Sequence, residues 1–205
     1  MASVVSMILN PLVIPPLLLS LVAFQLESNT RSIVWLFGVS LLMYTVLPFA
    51  YLIFLLKTGR IKELEARERS SRSGPLFMGV ILLAVAIVPV YFIAPIELKP
   101  IVGAVASLFA INAFLLAVIT VRLKISIHVS TIAGFFSILL GLQGFGFIPI
   151  IWESYLIFGA AFFAISLVSW ARIFSDAHSR VEVAWGICFG LFLPLIEIGC
   201  ARAIL

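Results

Sequence analysis

Two histidines are all that this chain contains, and each stands among residues that give an imidazole something to do. Toward the C-terminus the order is Arg172-x5-His178-x3-Glu182. On a helix beginning near Ser175 or Asp176, His178 and Glu182 are neighbours one turn apart. The carboxylate then accepts from one ring nitrogen and leaves the other free. A carboxylate so placed fixes the tautomer and stabilises positive charge on the ring, the condition under which His178 is a nucleophile and Glu182 orients it. Taken alone, the pair reads equally as a membrane-interface contact without chemistry.

The second histidine lies in Ser126-Ile127-His128, where an apolar helix begins. A helix start has free backbone N–H groups and the positive end of the dipole, so an anion is well received near Ser126. The plainer alternative is an interfacial histidine that caps or pairs locally. Lys124, just before it, reads either as a further anion contact or as an interfacial anchor. A third element is Lys62-x6-Arg69. If Gly59 to Ser71 is helical, these two cations sit two turns apart on one face, with small Ala66 between them, and point at one anion. Alternatively, Glu63, Glu65 and Glu68 form ordinary surface pairs with the basic residues around them.

In this order and spacing the three elements resemble the signature motifs of the type-2 phosphatidic acid phosphatase superfamily, the metal-independent histidine phosphatases related to vanadium-dependent haloperoxidases. The resemblance covers about residues 57 to 190. It implies that Lys62, Arg69 and Arg172, with the helix start at Ser126, hold phosphate oxygens, that His178 attacks phosphorus, and that His128 is the general acid and base. It also implies a phosphohistidine intermediate and no cofactor. The chain departs from the family pattern at Ser70, Ile125, Ile127 and Ala171, where proline, proline, glycine and serine are usual, and at Glu182, where aspartate is usual. Many members also keep the first two motifs in one loop, whereas two apolar segments separate them here, so the chain resembles a divergent branch.

The elements that must position these residues follow from hydropathy. With 63% hydrophobic and 11% charged residues and a mean hydropathy of +1.27, the chain lies far outside the composition of soluble domains. An all-α, polytopic transmembrane bundle is expected, as one domain over residues 1–205. Uncharged runs cover about 1–26, 33–56, 76–96, 101–121, 125–152, 154–171 and 183–196. Gly144 to Pro149 carries turn residues, so a sixth helix should start near Trp152. The result is about seven spans, with six as the alternative count, the first one retained and kinked by Pro11, Pro15 and Pro16. Because successive spans alternate sides, the loops at 57–75, 122–126 and 172–182 meet at one face, together with the N-terminus.

That face carries ten of the basic residues, Lys57, Arg60, Lys62, Arg67, Arg69, Arg72, Arg122, Lys124, Arg172 and Arg180. Arg31, Lys99 and Arg202 lie opposite, so the positive-inside rule favours a cytoplasmic site. The basic pI of about 9.4 fits lipid headgroups and topology rather than nucleic acid. Asp176 is the only aspartate, so the clustered carboxylates that magnesium-dependent transfer uses are not expected. Cys188 and Cys200 fall about 18 Å apart along one helix, too far to bridge. Glu197 reads as structural, Asn112 and Gln143 as interhelical hydrogen-bonders, and Gly134, Gly141, Gly186 and Gly190 as close-packing positions.

The expected function is therefore a membrane lipid phosphatase acting on a polyprenyl phosphate or diphosphate or a phosphatidate-type lipid. Its partners are the lipid substrate and the bilayer. The competing expectation is a lipid-phosphate binding or transport protein without turnover. A binder needs cations and has no use for a paired nucleophile and acid. A channel would need polar residues along its spans, and those are scarce.

Overall fold

The computed structural model describes residues 2–26, 29–61, 69–149 and 154–204, for a few of which, Arg69 among them, the backbone alone is described. All regular structure among these residues is helical. Helices α1 (Ala2–Ile8) and α2 (Ile14–Leu26) precede α3 (Thr30–Leu41), which runs through a π-helical turn, Leu42–Val46, into α4 (Leu47–Lys57). There follow α5 (Arg69–Ile93), α6 (Lys99–Arg122), α7 (Ile127–Gly144), α8 (Ser154–Phe174) and α9 (Arg180–Ile204). Among the described residues, six helices are long and apolar enough to cross a membrane: the continuous Thr30–Lys57, and one within each of α5 to α9. The chain is an all-α polytopic bundle and an integral membrane protein.

The long helices number six among the described residues, the lower of the two expected counts, and the kink expected in the first apolar segment is a full break, because Asn10 to Val13 form a turn between α1 and α2. The Leu12 N–H donates to Asn10 Oδ1 at 2.9 Å, and Pro11 removes a donor that a continuous helix would use. Helix α2, with 13 residues, is about 20 Å long, against about 30 Å for a hydrocarbon core. Losing a crossing that precedes all three motif loops leaves those loops on one side of the bundle, here called the motif face.

Proline also explains the π turn. Pro48 lacks an N–H and its ring crowds the carbonyl of Tyr44, so the hydrogen-bond ladder widens just before it, and the Leu47 N–H reaches back to the Leu42 carbonyl. Thr45 in this turn donates to the Leu12 carbonyl at 2.7 Å, which fastens the N-terminal turn to the first long helix.

Helix α4 stops at Gly59, whose φ of +69° is the left-handed conformation that glycine accepts. The Gly59 and Arg60 N–H groups close onto the Leu56 and Leu55 carbonyls, a Schellman cap. The helix expected from Gly59 is thus broken at its start. Lys62 lies outside the described residues, and Arg69 opens α5.

Helix α7 is central, with 61% of its spanning window buried against 11–33% in the other five. It packs on α9 through glycines. A Cβ on Gly186 would lie 2.8 Å from the Ser126 carbonyl, and one on Gly190 would collide with the Ser130 carbonyl. Gly141 similarly admits Ile198. Small residues four apart let the two backbones touch, and this contact brings the start of α7 against the start of α9. The turn expected after Gly144 is present, with Gly146 at φ +77°.

Candidate active site

Helix α8 ends just beyond Arg172, and its terminus sets the loop that carries His178. Asp176 takes the left-handed conformation, with φ at 52°. Its N–H bonds the Ile173 carbonyl, and the N–H groups of Ala177 and His178 both bond the Arg172 carbonyl at 3.2 Å. This is a second Schellman cap, with aspartate in the place usually held by glycine. The Arg172 backbone therefore anchors His178, and both side chains are buried, at 4% and 7% exposure.

His178 precedes α9 rather than lying on it, which corrects the helix start expected near Ser175. Helix α9 is opened by Ser179 in a reciprocal capping box. The Glu182 carboxylate accepts from the Ser179 N–H at 3.1 Å, and the Ser179 hydroxyl accepts from the Glu182 N–H at 3.3 Å. The Glu182 oxygen that caps the helix also lies 3.0 Å from His178 Nδ1. The helix start itself thus aims the carboxylate at the imidazole. The signal, Ser179-x-x-Glu182, stands in the sequence, but the helical-spacing reading of His178 and Glu182 left it unused.

With Nδ1 donating to Glu182, Nε2 holds the lone pair. Burial pushes the His178 pKa down to about 4; the Glu182 hydrogen bond opposes that shift, and the charges of Arg172 and Lys124 reinforce it. The imidazole is consequently neutral at ordinary pH, which is the nucleophilic form.

The loop before α7 joins the same cluster. Lys124 Nζ lies 3.4 Å from the Glu182 carboxylate and donates to the Ala177 carbonyl at 3.1 Å. Of the two roles left open for Lys124, neither describes this contact, in which it ties the α6–α7 loop to the α8–α9 loop. Ser126 is fully buried, and its N–H donates to the Glu182 carbonyl at 3.2 Å. The close α7–α9 approach thus commits the N–H of Ser126 itself to α9. The Ser126 hydroxyl is buried without a hydrogen-bond partner among the described residues.

His128 in the first turn of α7, Arg172 and His178 line one cavity of about 600 Å³. Of the predicted site residues, the structure therefore gathers Ser126, His128, Arg172, His178 and Glu182, and adds Lys124. It describes neither Lys62 nor the Arg69 side chain, although Pro75 and Gly79 of α5 border the same cavity. Among the described residues no three His, Cys, Asp or Glu side chains are grouped so as to hold a metal ion.

The cavity continues from the histidines between apolar helices, past Phe109, Leu116 and Ile138. Between Phe109 and Leu116 on the same wall, Asn112 donates to Glu197 at 2.7 Å, the interhelical bond expected of it. Gln143, expected to do the same, is buried with no partner among the described residues.

Compared with protein-family models, curated proteins and solved structures, the chain gives no match.

Proposed function

We propose that this protein is a membrane lipid phosphatase of the histidine type, which releases phosphate from a lipid phosphate monoester or diphosphate. The observation that carries this reading is the His178–Glu182 contact on the wall of a cavity that also takes in Arg172 and His128 and runs on between apolar helices. A buried, neutral, oriented imidazole beside a guanidinium serves nucleophilic attack on a phosphate. The largely apolar wall, interrupted by Asn10, Asn112, Ser130 and Thr131, fits a substrate whose other end is a hydrocarbon chain.

In the reaction, the Nε2 lone pair of His178 attacks phosphorus and the bond to the leaving oxygen breaks, with His128 supplying its proton. The ring gains positive charge, which Glu182 stabilises through Nδ1. Arg172, with Lys62 and Arg69, neutralises the equatorial phosphate oxygens. Water then attacks the phosphohistidine as His128 takes its proton, and the P–N bond breaks to return neutral His178 and inorganic phosphate. No cofactor enters this scheme. By the positive-inside count, the motif face is cytoplasmic.

The test is phosphate release in EDTA from polyprenyl phosphate, polyprenyl diphosphate and phosphatidate, by the wild type and by His178→Ala. Release by the wild type that the substitution abolishes is the expected result. Release that persists in the variant, or folded wild-type protein that releases nothing from any lipid phosphate, defeats the proposal.

A further inference from the structure

The N-terminal segment, which lies outside the resemblance to lipid phosphatases, shapes the cavity. The residues around the cavity run from the motif face to just past the middle of the long helices. Asn112 is ten residues before the end of α6 at Arg122, about 15 Å deep, and Tyr44 is thirteen residues before Lys57, about 20 Å deep. Beyond that depth the space is filled from the other side. Helix α2 starts from the opposite face at Leu26 and stops after about 20 Å, and the turn that follows presents Asn10, Pro11 and Leu12 to the cavity. The Thr45 hydroxyl holds this turn through the Leu12 carbonyl, next to Tyr44, at the cavity's far end. The cavity thus lies on the motif-face side of a short helix, with the proline turn among its lining.

From this arrangement we infer that the cavity is a chain-binding chamber with a floor, and that the N-terminal turn at Asn10 to Leu12 limits the hydrocarbon chain the protein accepts. The inference rests on the lipid phosphatase reading for the phosphate end of the ligand. About 600 Å³ lies within the roughly 300–1,000 Å³ that encloses one small-molecule ligand, so the chamber fits a single chain of short terpenoid or lysolipid size and not two full acyl chains. The phosphate stands at His178 and Arg172, the chain passes Gly79 and Phe109, and its far end meets Leu12 and Tyr44. A chain longer than the chamber has to leave it sideways and loses the enclosed contacts.

Two substitutions act on the chamber in opposite directions. A Cβ on Gly79 meets nothing within 4 Å, so Gly79→Leu fills cavity space without a clash, and leucine is the better helix former. Leu12→Ala lowers the floor. Binding is measured with radiolabelled isopentenyl, geranyl, farnesyl and geranylgeranyl phosphates, and with lysophosphatidate and phosphatidate. The protein is the full chain in phosphatidylcholine nanodiscs carrying His178→Ala, so that ligands stay intact.

On this background, affinity should rise with prenyl length and then level or fall, and lysophosphatidate should bind more tightly than phosphatidate. Gly79→Leu should weaken farnesyl phosphate at least tenfold and leave isopentenyl phosphate within twofold. Leu12→Ala should shift the preference to a longer chain. Affinities that climb through the whole series and are the same in both variants would overturn the inference, placing the chain in the bilayer outside the bundle. Turnover assays on the chain with His178 intact keep the two readings apart. Length-selective binding without phosphate release would remove the phosphatase and keep the chamber, whereas release without length selection would do the reverse.

Discussion

Glu182 carries two duties through one carboxylate, and Glu182→Gln separates them. The side chain caps α9 through the Ser179 N–H at 3.1 Å and orients His178 Nδ1 at 3.0 Å. Glutamine is a normal member of the capping box and is the same size, so its amide oxygen keeps both hydrogen bonds in reach. What it lacks is the negative charge opposite a ring that becomes cationic on phosphorylation. A hydrogen bond to a charged partner is worth about 1.5–3 kcal/mol, which corresponds to a fall in kcat of about 10- to 150-fold. Because that charge interacts with the ring mainly in the transition state, KM should change by less than about threefold. The assay is steady-state phosphate release in EDTA, with a thermal melt of each variant. Glu182→Ala should lose comparable activity and, in addition, about 1 kcal/mol of stability as the cap goes. A Glu182→Gln protein whose kcat stays within twofold of wild type, or whose whole defect lies in KM, would refute the orienting role.

Four further outcomes follow from the same geometry. Lys124→Met should lower kcat by no more than about fivefold, because the Lys124–Glu182 pair is partly exposed and such pairs are worth up to about 1 kcal/mol, and Lys124→Arg should restore it. The His178 pKa lies below its ordinary value of 6.5, at about 4. The neutral nucleophile therefore persists as pH falls through 6.5, and the acid limb of the pH–rate profile should lie near 4. The unfolded chain takes up that proton first, so melting temperature should decline as pH falls from 6.5 toward 4. Gly186→Val drives a side chain against the Ser126 carbonyl and should cost about 1–3 kcal/mol together with most activity, read by melting and phosphate release. Asp176→Ile places a β-branched residue at a left-handed position and should cost about 1–2 kcal/mol in the same melts, whereas Asp176→Gly should melt no lower than wild type.

The sequence by itself determined the class of the protein and the residues of the cluster. Apolar runs of some twenty residues leave a helix as the only way to satisfy the backbone in a bilayer, so α3 to α9 were legible from hydropathy. Alternation of spans then put the loops at 122–126 and 172–182 on one face, and the contact of Lys124 with Ala177 and Glu182 joins those two loops. Spacing also paired His178 with Glu182, but for the wrong local reason. The two meet across a helix start because Asp176 ends α8 in a left-handed turn, and the spacing argument assumed a continuous helix.

Tertiary structure decided the rest. Ser126 gives its N–H to Glu182 only because Gly186 and Gly190 admit the backbone of α7, a close approach that depends on which glycines face each other. Lys124 found a carboxylate on a loop more than fifty residues away. The cavity has no sequence signature, since its wall is assembled from residues far apart in the chain, among them a proline turn held by a threonine on another helix. Local propensity and hydropathy reach along the chain for a few turns; a void between helices belongs to all of them at once.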